Sequence, residues 1–491
     1  MKQAIEIACA LGLALAACES VSTTAVAPTP AWVSGTTALP PSTTQSYGLA
    51  DKYRGVAQTI IDYARKDRGA YEKLSVLTDT IGHRLAGSPE LDKAIAWAAQ
   101  AMKDDGEAVH TEKVMVPHWV RGAESAAIVA PTARALHLIG LGGSVATPKG
   151  GITAPLVVVH DWKELEAKAD AVKGAIVLYN VAMPAFTDED GAGYGKVVGF
   201  RFAGASAAAK LGAVGMLIRS VTARSLSTPH TGALGYDEKI AKIPAAAVTV
   251  EDAELLDRLS KRGAVSVHLA MDDQMLPDVE SANVIGEIKG SEKPDEIVVI
   301  GGHIDSWDVG QGAQDDGGGI VVMMETLRVL QQLHLQPKRT IRAVLFVNEE
   351  NGVRGAKGYA EAHKDELAKT VMALESDSGV FAPQGFVTGH EDKAAAKRVL
   401  DRVAQIATLL GPIRATRVRD TGGGGTDVEP MKPAGVPQLG LWVDTRHYFD
   451  YHHTDADTLD KVDPQELADC VAAVATLAYV VAELPDRLDA Q

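Results

Sequence analysis

From Ser281 onward, apolar runs of strand length alternate with amphipathic stretches of helix length. Glu296–Gly302 (EIVVIGG), Arg339–Glu350 (RTIRAVLFVNEE), Val371–Ser378 (VMALESDS) and Gln438–Asp444 (QLGLWVD) read as strands. Ile320–His334, Gly355–Leu367, Ala394–Leu410 and Pro464–Leu484 read as helices. Continuous apolar strands are those buried on both faces, and strands joined through helices of this length imply βαβ crossovers. The pattern predicts an α/β fold with a mostly parallel central sheet and helices on both faces. Residues 51–122 read as mainly helical, through Tyr53–Lys66 and Leu91–Asp105, with a polar loop at Ile81–Glu90 between them. Between about 123 and 276 the texture changes to short apolar runs separated by turn residues: Ala154–His160, Gly174–Asn180, Val214–Ser220, Ile243–Val250 and Val265–Met271. That predicts a β-rich module with a few helices over about 123–276.

The first 50 residues belong to none of these. Residues 1–17 carry an apolar core, Ile7–Ala17, too short to span a bilayer and of the length of a signal peptide. Its end, Leu15-Ala16-Ala17-Cys18, resembles the bacterial lipobox. This predicts a lipid anchor on Cys18 and an exported envelope protein; a plain cleaved signal is the alternative. Residues 18–50 are rich in Ser, Thr and Pro and read as a flexible tether, or as an arm anchored by Trp32 and Tyr47. Only Cys470 lies in the body of the chain, so no intrachain disulfide is expected there. A net charge of -16 argues against a nucleic-acid partner, which needs a basic face.

Candidate chemistry collects at strand ends. His303 and Asp305 follow the first predicted strand, in GGHIDSWDVGQGAQDDGGG. Glu349 and Glu350 end the second, Asp377 follows the third, and YHHTDADT supplies His453. Ligands of open parallel sheets bind beyond the carboxyl ends of the strands, so these side chains, with Asp315, are aimed at one crevice. Taken singly, an Asp in a glycine-rich loop is a turn former and a strand-ending Glu-Glu pair is solvated. Together they would repel one another unless cations sat among them. Mixed imidazole and carboxylate ligands suit zinc, and two ions sharing a carboxylate and a water form a hydrolytic arrangement. Gly317, Gly318 and Gly319 open the next helix and leave room for close backbone approach.

HIDSWDVGQGAQDDGGG, VNEENG, ESDSG and HHTDADT resemble, in order and spacing, the motifs of the co-catalytic zinc exopeptidases, which include bacterial aminopeptidases and glutamate carboxypeptidases. PHWVRG, TPHTG, IPAAAVTVEDAE and LQPKRTIRAVLF extend the resemblance from about Tyr53 to Leu484. It implies two zinc ions: Asp315 bridging them, His303 and Asp377 completing one site, and Glu350 and His453 the other. Glu349 would be the general base and Asp305 would orient His303, whereas Asp308 and Asp316 would not touch metal. The His-Thr-x-x-Asp-Thr pattern selects His453 over His452, and a cis peptide is expected after Asp315. The module 123–276 resembles a protease-associated domain, which implies that it is inserted into a peptidase domain made of 51–122 plus 277–491. The implied substrates are short peptides, chiefly dipeptides with free N-termini, and the enzyme is often a homodimer. Thr421–Asp427 (TGGGGTD) departs from the pattern, which has His and Glu among the glycines, and is implied to shape a substrate-side loop. An aminopeptidase trimming longer peptides is the enzymatic alternative. A non-catalytic binding protein on the same fold would be expected to have lost metal ligands, and none is missing. No Gly-x-Ser-x-Gly elbow or His-Glu-x-x-His helix supports another hydrolase class.

Overall fold

Two eight-stranded sheets organise the computed structural model, which describes residues 48–188 and 191–491. The signal, Cys18 and most of the tether fall outside the described residues. The helix Leu49–Ala64 takes up the last two residues of the expected tether, because its apolar face, including Tyr53, Ala57, Ile60 and Ile61, is already engaged in the core.

The chain enters the central sheet at β1 (Ala108–Val120) and leaves it for the insert. There it forms β2 (Glu124–Ala130), β3 (Arg134–Leu136), β4 (Leu138–Gly140), β5 (Ile152–Val159), β6 (Ile176–Tyr179), β7 (Gly215–Arg219), β8 (Ala245–Val248) and β9 (Ser266–Met271). It returns through β10 (Gln274–Ile288), β11 (Lys293–His303), β12 (Arg339–Phe346), β13 (Thr370–Glu375), β14 (Pro383–Gly389), β15 (Arg417–Asp420) and β16 (Gln438–Val443). The central order is β1-β10-β12-β11-β13-β16-β14-β15, and the insert's is β3-β2-β9-β5-β6-β7-β8-β4.

The central sheet is mixed, which corrects the mostly parallel expectation. β12, β11, β13 and β16 form a continuous parallel block, and β14 pairs parallel with β15. β10 runs antiparallel to β1 and β12, and β14 runs antiparallel to β16. The helical reading of 51–122 holds for Leu49–Ala64 and Pro89–Asp104, but the last part of that span is the strand β1. Its half-exposed residues mix apolar and charged side chains (AVHTEKVMVPHWV), so no continuous run marks it. The ladder from Ala108↔Glu287 to Val120↔Gln274 brings the two ends of the insert together, so the insertion leaves the sheet intact.

The parallel block is apolar on both faces, with side chains alternating between two cores. Val298 and Ile300 of β11 enter a large cluster with the helices Leu49–Ala64, Gly318–Gln332 and Pro464–Glu483. Ile297 and Val299 enter a smaller one with Ala356, Tyr359 and Met431 on the opposite face. Helices therefore cover both faces, as the pattern implied. Pro464–Glu483 starts sharply because Asp463 caps it, accepting from the backbone N–H groups of Gln465 and Glu466, with Pro464 in the first turn.

Candidate metal centre

Because β12, β11 and β13 are adjacent and parallel, their carboxyl ends share one edge, and the predicted residues meet there. His303 is the last residue of β11; Glu349 and Glu350 follow β12 by a few residues, and Asp377 follows β13 by two. His453 arrives from the turn after the short helix Tyr448–Tyr451.

Asp315 lies at the centre. Its Oδ1 is 3.3 Å from His303 Nε2, and its Oδ2 is 3.2 Å from His453 Nε2. Asp377 Oδ1 is 3.5 Å from His303 Nε2, and Glu350 Oε2 is 3.1 Å from His453 Nε2. Two ligand groups, His303–Asp315–Asp377 and Asp315–His452–His453, each bring their donor atoms within metal-binding reach of one another. His452 enters the second, its Nε2 3.7 Å from Asp315 Oδ2 and its ring stacked on that of His453.

The surrounding bonds leave the right atoms free. His303 Nδ1–H donates to the Asp305 carbonyl at 3.0 Å, which turns the Nε2 lone pair toward Asp315. Asp305 thus orients His303 through its carbonyl, while its carboxylate, 3.9 Å from that ring's Nδ1, accepts from the backbone N–H groups of Glu349 (3.1 Å) and Glu350 (3.3 Å). It thereby fixes the loop that carries both glutamates. Asp316, joined to Asp315 by a cis peptide, accepts from the N–H groups of His303 and Gly319. Asp308 forms a bidentate ion pair with Arg121, both contacts at 2.8 Å.

The electrostatics are those of a site built for cations. Burial raises the pKa of Glu349 well above the usual range, reinforced by Asp377, Glu350 and Asp305 against the pull of His303. Burial and the Asp315 charge lift Glu350 to about 7. Burial opposes ionisation of Asp315 too, but the imidazoles of His303 and His453 outweigh it and hold that carboxyl well below its usual range. Burial likewise opposes a charge on His303, yet Asp315 and Asp377 raise its pKa, so proton and cation compete for Nε2. His303 Nε2, Asp315 Oδ2 and Glu350 Oε1 are buried without a hydrogen-bond partner among the described residues. Buried polar atoms are normally satisfied, and divalent cations among these donors would satisfy all three. Imidazole nitrogen with carboxylate oxygen is a donor set that fits zinc.

Three supports were not legible in the sequence. The Asp457 carboxylate accepts from the N–H groups of Gln314 (2.7 Å) and Asp315 (3.1 Å), holding the backbone on which the central aspartate rides. Its only sequence signal is its place in the motif with His453. Arg84, fully buried in what reads as a plain polar loop, donates through its guanidinium to the carbonyls of Ile304, Gln311 and Gly312 and so ties both ends of the loop between His303 and Asp315. Glu375 accepts from the N–H groups of Asp427 and Val428 and anchors the Thr421–Asp427 loop beside the centre. Gly425 is needed there, since a Cβ would sit 2.5 Å from that carboxylate and φ is +151°.

This fold and site are those of a metallopeptidase, and comparison with known proteins gives the family. Residues 283–478 match the model of Peptidase family M28. The chain is 42% identical over 441 residues to mouse carboxypeptidase Q, covering 89% of this chain and 91% of the relative. The chain belongs to Peptidase family M28. A Peptidase M28 precursor from Shewanella amazonensis superposes with a TM-score of 0.84 at 37% identity, covering 89% of this chain and 98% of the other. A zinc aminopeptidase from Bacillus subtilis shares the fold, with a TM-score of 0.61 at 22% identity over 84% of this chain and 94% of the other.

Proposed function

We propose that the chain is a dinuclear zinc exopeptidase hydrolysing short peptides, chiefly dipeptides with free N-termini. The observation that carries the reading is the sharing of Asp315 between two histidine-containing donor groups, with its oxygens 3.3 Å from His303 Nε2 and 3.2 Å from His453 Nε2. In this reading His303 and Asp377 hold one ion, His453 and Glu350 hold the other, and Asp315 serves both. Zinc, when bound, acidifies a water and polarises the scissile carbonyl.

The remaining work falls to the protein. Glu349 takes the proton of the attacking water and delivers it to the departing amine, a role that suits a carboxyl at the cluster yet outside both donor groups. Asp305 keeps Glu349 in place through its backbone N–H. The insert, proposed to be a protease-associated domain, covers one side, where Tyr194 meets the His452 ring edge-on. A covered site of this kind favours substrates with a chain end close to the scissile bond. Carboxypeptidase Q relatives at about the identity given above favour the same reading.

The test is a panel of dipeptides, longer peptides and N-blocked analogues, run with zinc analysis of the active protein. Fastest cleavage of free-amino dipeptides is expected, with N-blocked analogues inert. Preferential trimming of longer peptides from the N-terminus would make it an aminopeptidase instead. Fewer than about two ions per active chain would overturn the dinuclear centre.

A further inference from the structure

His453 has a left-handed backbone, φ +62°, a conformation an L-residue keeps only where its surroundings impose it. Those surroundings come from the insert. The TPHTG stretch, Thr228–Gly232, crosses to the peptidase half and bonds the two histidines along their backbone. His230 Nδ1–H donates to the His452 carbonyl at 2.8 Å, and Thr231 N–H donates to the His453 carbonyl at 3.0 Å. On the side-chain side, the Thr231 carbonyl lies 3.2 Å from His453 Nδ1 and accepts its proton, which leaves Nε2 free to face Asp315 and Glu350.

The clasp is itself anchored within the insert. His230 N–H donates to Ser220 Oγ at 2.9 Å, and Thr231 Oγ1–H donates to the Gly140 carbonyl at 2.7 Å. Gly232, at φ +136°, passes so close that a Cβ would lie 2.7 Å from His453 Nδ1 and 2.2 Å from the Arg201 guanidinium. His230 is buried, and nothing in the proposed chemistry uses it.

We propose that the His230–Gly232 segment of the insert is the outer support of the metal centre, holding His453 in its left-handed conformation so that the ion there is bound tightly only while the insert is seated. This rests on the two-ion reading above. His230 and Thr231 act through His453 and are positioning residues. Groups that orient a metal-bound histidine typically change metal affinity by about 10–100-fold when removed.

Zinc binding to the full chain, followed by competition with a chromophoric chelator and by metal content after dialysis, tests this. His230→Leu should keep its circular dichroism and cooperative unfolding while one of the two zinc affinities falls by about 10–100-fold. The weakened ion should be the one lost in His453→Ala. His230→Asn, whose amide N–H can replace Nδ1–H, should restore the affinity. Should His230→Leu not fold, Gly232→Ala decides by the same measurement, because its Cβ presses directly on the His453 ring. A folded variant with both affinities within about twofold of wild type would overturn the inference. A wild-type stoichiometry of one ion would instead overturn the two-ion reading; that result is read from wild type alone, whereas the clasp is judged on the difference between variant and wild type.

Discussion

Glu107 offers a test of the energetics that is independent of metal. It lies just before β1, is 7% exposed, and neither carboxylate oxygen has a hydrogen-bond partner among the described residues. The nearby cations are already committed. Lys73 pairs with Asp105 at 2.9 Å and with Glu325, and Arg328 pairs with Asp67 and Glu325. Burial, then the charge of Asp105, push the Glu107 carboxyl from its usual 4.5 to about 9. Below pH 4.5 folded and unfolded chains both hold the proton, and the group's contribution to stability is fully present. Between 4.5 and 9 the unfolded chain releases the proton and the folded chain retains it, so stability falls as pH rises, by about 1.4 kcal/mol per pH unit. From pH 5 to 7.5 that amounts to about 3 kcal/mol. Glu107→Gln removes the ionisation but keeps the shape. Urea unfolding of wild type and variant at matched zinc load should therefore give curves that diverge by about 3 kcal/mol over this interval, the variant gaining with pH. A difference that stays flat from pH 5 to 7.5 would show that Glu107 is ionised in the folded protein and that the burial argument is wrong.

Two further outcomes concern the centre itself. Glu349→Gln should retain wild-type zinc content, because Glu349 is outside both donor groups, yet lose roughly 10²–10⁴-fold in kcat through loss of the proton carrier; near-wild-type turnover would remove Glu349 from that role. Gly319→Ala would put a Cβ 2.2 Å from both Asp316 Oδ1 and the Ser376 carbonyl, the latter being backbone that cannot step aside. It should cost about 1–3 kcal/mol in thermal unfolding, whereas Gly55→Ala, a helical glycine whose Cβ would meet nothing within 4 Å, should be neutral or stabilising.

What could be read from the sequence, and what could not, divides along physical lines. β11, β12, β13 and β16 are buried on both faces, so their apolar runs announce them, and the acids placed after them are conspicuous for ending such runs. β1 faces solvent along much of its length and β14 (PQGFVTG) opens on a proline and carries two glycines, so neither carries a distinct period. That is why the sheet was expected to be more parallel than it is. The donor residues lie in compact motifs and could be named from them. Their supports could not, because Arg84 and Asp457 act on backbone groups, and nothing in the chain's local pattern says which carbonyl or N–H a buried side chain will meet. Asp305 illustrates the limit: its position was legible, but its partners are the amides of Glu349 and Glu350, 44 and 45 residues away.

These supports share one logic. The site concentrates carboxylates that would repel one another, and each stays ordered because its backbone or its neighbours are tied from outside the cluster. Arg84 ties the loop between His303 and Asp315, Asp457 ties the amide of Asp315, Asp305 ties the glutamate loop, and Glu375 ties the loop ending at Asp427. All four ties lie within the peptidase half of the chain. His453 differs, since its backbone carbonyl and its Nδ1 both reach Thr231 of the insert. Gly142 of the insert likewise leaves the space that Trp307, in the loop after His303, fills: a Cβ there would lie 1.9 Å from the indole. Arg121, at the root of the insert, holds Asp308 in the same loop. A cover that only restricted entry would need contacts at the rim; this one contacts the loop between the candidate donors and His453, the candidate donor with a left-handed backbone. Substitutions in the insert should therefore act on metal retention as well as on substrate choice, a coupling that a detachable lid would not produce.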